Sequence, residues 1–89
     1  MLFSVLVETR LREGVADPQG STIERSLPAL GFEGVTGVRV GKAFRFTIDA
    51  DDEASARSEV DDMCQRFLTN PVIEDATVTV TAAAGSPAR

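Results

Sequence analysis

The stretch VTGVRVGKAFRFTIDA, Val35 to Ala50, decides the fold. Its apolar residues alternate twice, with Val38 and Val40 before Gly41-Lys42 and Phe44, Phe46 and Ile48 after it. Period-two alternation marks half-buried strands, and a glycine-containing dipeptide between two such runs marks a hairpin. The stretch is therefore expected to supply two strands joined at Gly41-Lys42.

Upstream, MLFSVLVETR (Met1 to Arg10) reads as a strand with Phe3, Val5 and Val7 on one face and Leu2 and Leu6 on the other. Both faces ask for burial. Asp17-Pro18 then opens a helix, because Asp is a favoured N-cap and proline costs nothing at the first helical position. Ile23, Leu27 and Leu30 follow at i, i+4 and i+7 as an apolar stripe, and Gly31 is placed to end the helix in the left-handed conformation. The helix is expected over Pro18 to Leu30, with an irregular last turn at Pro28, which lacks the donor the helical ladder needs.

Downstream, Asp51-Asp52-Glu53 sets three carboxylates at the positive end of a second helix. Its stripe is Ala56, Val60, Met63, Cys64 and Phe67, it runs to Leu68, and Asn70-Pro71 stops it. From Val72 to Thr81 the chain alternates again, Ala76, Val78 and Val80 opposite Thr77, Thr79 and Thr81. The order predicts an α+β, ferredoxin-like βαββαβ fold, a four-stranded antiparallel sheet with two helices on one face. Residues 1–81 are expected to form a single domain, and residues 82–89 a disordered tail with nothing to bury. Two helices on one face leave the other face of strand one, with Leu2 and Leu6, to a partner surface, and a homodimer is the expected form.

Composition narrows the chemistry. A chain of 89 residues has room for one domain. It carries no His and a single Cys, Cys64, which excludes Ser-His-Asp and Cys-His catalysis within one chain, His-based or Cys-rich metal sites and an internal disulfide. An unpaired thiol without a secretion signal suggests the cytoplasm. The net charge of −5 and the pI near 4.5 argue against nucleic acid. The apolar run Met1 to Val7 falls far short of the roughly 18 residues of a membrane span.

Gly34, Gly37 and Gly41-Lys42 do not make a phosphate loop, since Thr36 and Ala43 stand where that motif needs Gly and Ser or Thr. Asp49, Asp51, Asp52 and Glu53 lack the spacing of a calcium loop and read as helix capping. Cys64, on the apolar stripe, reads as a buried structural thiol. Arg10, Arg12, Arg39, Lys42 and Arg45 supply five of the nine basic residues and gather near the end of strand one and the hairpin. They form either a docking edge for an acidic partner or a solvated edge that discourages aggregation.

Several loops carry a more specific signal. GVADPQG (Gly14 to Gly20), Leu30-Gly31-Phe32, VRVGK (Val38 to Lys42), Met63-Cys64 and FLTNPVIED (Phe67 to Asp75) occur in an order that resembles the PurS family, the small subunit of phosphoribosylformylglycinamidine synthase. DPQG together with NPVIED is the specific part, and the resemblance covers residues 3–81. Ala76-Thr77 departs from it, standing where family members often carry an aromatic residue.

The resemblance implies a homodimeric, non-catalytic subunit of de novo purine biosynthesis. Such a subunit joins a glutaminase subunit, which releases ammonia, to a large synthetase subunit that uses ATP and Mg. No cofactor is then expected on this chain. Asp17, Gln19, Arg39, Lys42, Arg45 and Asn70 become the candidate partner contacts. Two rivals share the expected topology. An acylphosphatase-like hydrolase needs a phosphate-cradling loop after strand one with an Arg and an Asn near it, whereas the only Asn is Asn70, after helix two, and the loop from Leu11 to Ala16 is not that cradle. A small-molecule-binding regulatory module would hold its ligand at a dimer interface.

Overall fold

The computed structural model describes residues 1–83. Strand β1 (Leu2–Leu11) leads to helix α1 (Pro18–Ser26) and a 3-10 turn (Pro28–Leu30). Strand β2 (Gly41–Asp49), helix α2 (Glu53–Met63), a π turn (Cys64–Leu68) and strand β3 (Glu74–Ala82) follow. The strands form one antiparallel sheet in the order β2-β1-β3.

Register explains the core. Val5 lies between Phe46 and Val80, and Val7 between Phe44 and Val78. Residues directly opposite share a face, so these side chains make one apolar surface. Ala56, Val60 and Cys64 of α2 bury it, and Val7 and Val60 are fully enclosed. The opposite face carries Ser4, Leu6, Glu8 and Arg10 beside Arg45, Thr77, Thr79 and Thr81. It is mostly polar: Leu6 is half-buried there, and Leu2 at its edge is exposed.

Among the described residues the expected four-stranded, ferredoxin-like sheet is not formed; the sheet has three strands. Gly41 does not turn the chain. It has no positive φ, it pairs with Arg10 as the first rung of β2, and a Cβ there would stand 2.5 Å from the Thr9 carbonyl oxygen. Close backbone approach, not hairpin geometry, explains the glycine. The positive φ values belong to Gly34 (82°) and Gly37 (73°), so the chain bends earlier and runs from Val38 to Val40 into β2. The N–H groups of Val38 and Val40, which a further strand would spend on a ladder, instead donate to Glu24 Oε1 (3.1 Å) and Asp17 Oδ2 (2.8 Å).

Those two bonds also explain why only α2 lies on the sheet. They fasten α1 to the chain leading into β2, so that α1 and residues 31–40 make an arm off the sheet's end, in a molecule of 51 × 30 × 15 Å. The stripe expected to enter the core is left outside: Ile23 and Leu30 are exposed and Leu27 is half-buried. Pro28 breaks the helix as its missing donor requires. Gly31, at φ 96°, closes the 3-10 turn with its N–H on the Pro28 carbonyl at 3.0 Å.

Two boundaries differ from expectation. After Cys64 the helix widens, with the Thr69 N–H donating to the Cys64 carbonyl at 3.1 Å. One extra residue per turn rotates Phe67 outward, 86% exposed, and brings Leu68 against the core. At the other end Ala82, expected in the tail, pairs with Phe3, and the Ala83 N–H donates to the Leu2 carbonyl. The rest of the expected tail, residues 84–89, lies outside the described residues.

Candidate functional site

The diagnostic loops meet at the end of the sheet where β1 stops and β2 starts. Asp17 caps α1 and is buried, with Oδ1 accepting from the Gly20 N–H at 2.8 Å and Oδ2 from the Val40 N–H. The bonds from Gly20 and then Val40, with the Arg39 charge adding, hold its carboxyl below its ordinary value of 3.8 against the opposing effect of burial. Gly20 is a glycine because a Cβ would collide with the Val38 carbonyl. In DPQG, then, Asp17 clamps, Pro18 starts the helix and Gly20 permits close approach; Gln19 is left exposed.

NPVIED is built the same way. Asn70 Oδ1 accepts from the Val72 N–H, the Asn70 carbonyl accepts from Ile73 and Glu74, and Glu74 Oε1 accepts from the Asn70 N–H at 2.8 Å. Arg12 ties this turn to β1. Its guanidinium donates to the Pro71 carbonyl at 2.6 Å and lies 3.3 Å from Asp75 Oδ1, while Arg39 donates to the Arg12 carbonyl at 3.2 Å.

The structure thus gathers five of the six candidates at one end. Asp17, Gln19 and Lys42 line a common hollow with Glu74, and Arg39 and Asn70 reach it through Arg12 and the NPVIED turn. Arg45 is elsewhere, opposite Leu6 in the middle of the polar face. Lys42 points to the other face, its ammonium 5.9 Å from the centre of the Phe44 ring. The expected basic patch of Arg39, Lys42 and Arg45 is therefore divided between two faces.

Arg12 and Glu24 organise this end and were not among the candidates. Arg12 reads in sequence as one member of a charged edge, and a helical Glu reads as solvated; only the turn each one meets gives it a role. Apolar residues of the arm complete the picture, with Leu30 70% and Phe32 58% exposed. Cys64 is buried beneath α2, and among the described residues no three acidic or Cys side chains converge as a metal site. Side chains here fix backbone and display apolar surface, an arrangement suited to holding protein.

Residues 4–82 match the family described as PurS, phosphoribosylformylglycinamidine (FGAM) synthase. The chain is 44% identical over 80 residues to a PurS subunit of Methanothermobacter thermautotrophicus, covering 90% of this chain and 94% of that one. It is 42% identical over 76 residues to the PurS subunit of Synechocystis, covering 85% and 76% respectively. Among solved structures, the PurLQS structure from Thermotoga maritima contains a chain that superposes with a TM-score of 0.83 at 32% identity, over 90% of this chain and 98% of that one. Methanocaldococcus jannaschii PurS, one of the subunits of formylglycinamide ribonucleotide amidotransferase, gives 0.80 at 36%, over 90% and 96%.

Proposed function

The chain belongs to the PurS family as a subunit of phosphoribosylformylglycinamidine synthase, and on that premise we propose that it is the complex's non-catalytic bridge. In this reading a homodimer of the chain, in the cytoplasm, joins the glutaminase subunit to the ATP- and Mg-dependent synthetase subunit. ATP and Mg act in the synthetase, and this chain contributes surface. The observation that carries the reading is the arm: an ordered helix and loop that hold Ile23, Leu30, Phe32 and Val35 exposed without packing them on their own sheet. Large apolar residues held exposed on one ordered segment suit a place where protein docks.

Chemistry points the same way. Glutamine hydrolysis by a thiol needs an accessible thiolate and a proton-shuttling partner, whereas Cys64 is 5% exposed and the chain has no His. Recovery of both the glutaminase and the large synthetase on the tagged full-length chain is the expected result of a pull-down from native lysate. Recovery of neither contradicts the bridge. Calorimetric titration with amino acids and nucleotides separates it from a small-molecule-binding regulatory module, which alone would give saturable heats.

A further inference from the structure

The outer edge of β3 is open, and the strand itself carries little to protect it. Two bonds, from the Arg12 N–H to the Ile73 carbonyl and from the Ala83 N–H to the Leu2 carbonyl, fix which residues of β3 exchange hydrogen bonds with β1. Antiparallel pairing alternates, so Asp75, Thr77, Thr79 and Thr81 bond inward, and Ala76, Val78 and Val80 turn their N–H and C=O groups outward. Between Asp75 and Ala82 there is no proline, glycine or basic residue, and valine alternates with threonine, both good strand formers. Edge strands of this kind recruit further strands unless something blunts them. β2, at the other edge, carries Lys42 and Arg45 in its own sequence. On β3, among the described residues, the outward group that finds a partner is the Val78 carbonyl, which accepts from the Arg57 guanidinium of α2 at 3.0 Å.

We propose that this edge is a strand-addition surface for β3 of a second copy and that Arg57 keeps it closed. The strand is its own complement. Antiparallel pairing centred on Val78 sets Ala76 against Val80, Thr77 against Thr79 and Asp75 against Thr81 of the second copy. No like charges meet there, and β-branched residues face one another on both sides of the sheet, pairs that favour strand association. The outward groups of Ala76, Val78 and Val80 all find partners in this register, with Val78 bonded to its own counterpart at a two-fold axis. That central carbonyl is the one Arg57 holds. The same axis would bring the Arg57 side chains of the two copies together, so the guard both occupies the acceptor and repels its counterpart. The device is independent of the bridging role and limits which copies join through their sheets.

Substitution of Arg57 in the full-length protein tests the guard. Arg57→Ala should raise the mass measured by light scattering to about twice that of wild type or more, increasingly so with concentration. Amide exchange at Ala76, Val78 and Val80, rapid in wild type, should slow by about tenfold or more, whereas Thr77, Thr79 and Thr81, already bonded to β1, should be protected in both proteins. Ala76→Pro added to Arg57→Ala should restore the wild-type mass, because proline removes an outward donor and is tolerated on an edge strand. Arg57→Met, which keeps the stem without the charge, stands in if Arg57→Ala folds poorly. Wild-type mass with rapid exchange in the Arg57 variant overturns the proposal. Association that leaves Ala76, Val78 and Val80 exchanging rapidly, or that persists with Ala76→Pro, overturns it too, as does slow exchange of these three amides in wild type.

Discussion

Asp17 and Val40, 23 residues apart in sequence, are joined by a 2.8 Å bond from the Val40 N–H to Asp17 Oδ2, while the other carboxylate oxygen caps α1. One side chain thus starts a helix and fixes the chain that enters β2. The direction of the arm depends on this carboxylate having two acceptor oxygens.

Acid should release the arm. The folded-state pKa of Asp17 is depressed, so the stability it confers is complete above the ordinary value of 3.8 and is lost as pH falls through the lower folded value. Asp52, whose carboxyl is lowered by bonds to Ser55 at the start of α2, acts in the same direction. Thermal unfolding followed from about pH 6 down to about pH 2 should show stability falling over the lower part of that range. Asp17→Asn has one acceptor oxygen for two N–H donors and should lower the melting temperature at neutral pH while weakening the acid dependence. Equal acid dependence in wild type and variant would remove Asp17 from this role.

Gly20→Ala should loosen α1 from residues 38–40, because the added methyl meets the Val38 carbonyl, a backbone atom that cannot rotate aside. Amide hydrogen exchange at Val38 and Val40 should accelerate, with the β1 amides unaffected. Unchanged exchange at both positions would show that the arm is held by something other than this contact.

The π turn makes a paired forecast for neighbouring residues. Phe67→Ser should change stability by no more than about 0.5 kcal/mol, since the ring is exposed. Leu68→Ala should cost about 2 kcal/mol, since Leu68 packs on the core. A regular α-helix continuing through Phe67 would reverse the order, so chemical denaturation of the two variants decides between the geometries.

Charge reversal at Arg39 and Lys42 should weaken co-elution with the partner subunits on a sizing column beyond what a small fall in melting temperature accounts for, that fall coming from the lost Arg39 bond to the Arg12 carbonyl and the lost charge beside Asp17. Arg45→Glu, on the opposite face, serves as the contrast. Full partner binding by the Arg39 and Lys42 variant would make that end a solvated edge.

Local chemistry was legible in the sequence. The Asp17 cap, the broken turn at Pro28, the carboxylate start of α2 at Asp52 and the inward series Ala76, Val78 and Val80 all follow from residues a few positions apart. What the sequence concealed depended on partners far along the chain. Val38 and Val40 alternate as a strand does, but alternation does not say whether their N–H groups meet another strand or the carboxylates of Asp17 and Glu24. Gly41 looked like a turn because close approach to Thr9 and a left-handed φ both select glycine. Phe67 fitted a 3.6-residue period that the backbone abandons at Cys64. For the site, DPQG and NPVIED pointed to the right loops, whereas Arg12, which joins NPVIED to the end of β1, emerged only when its bonds to Pro71 and Asp75 were seen.

Bridging is tested most directly by amidine formation in a reconstituted mixture of glutaminase and synthetase subunits, with and without this chain, supplied either with glutamine or with free ammonia. A bridge is needed only when ammonia must come from the glutaminase. Glutamine-dependent product should therefore require this chain, ammonia-dependent product should form without it, and the chain alone should consume neither glutamine nor ATP. Equal glutamine-dependent rates with and without the chain would contradict the bridging role.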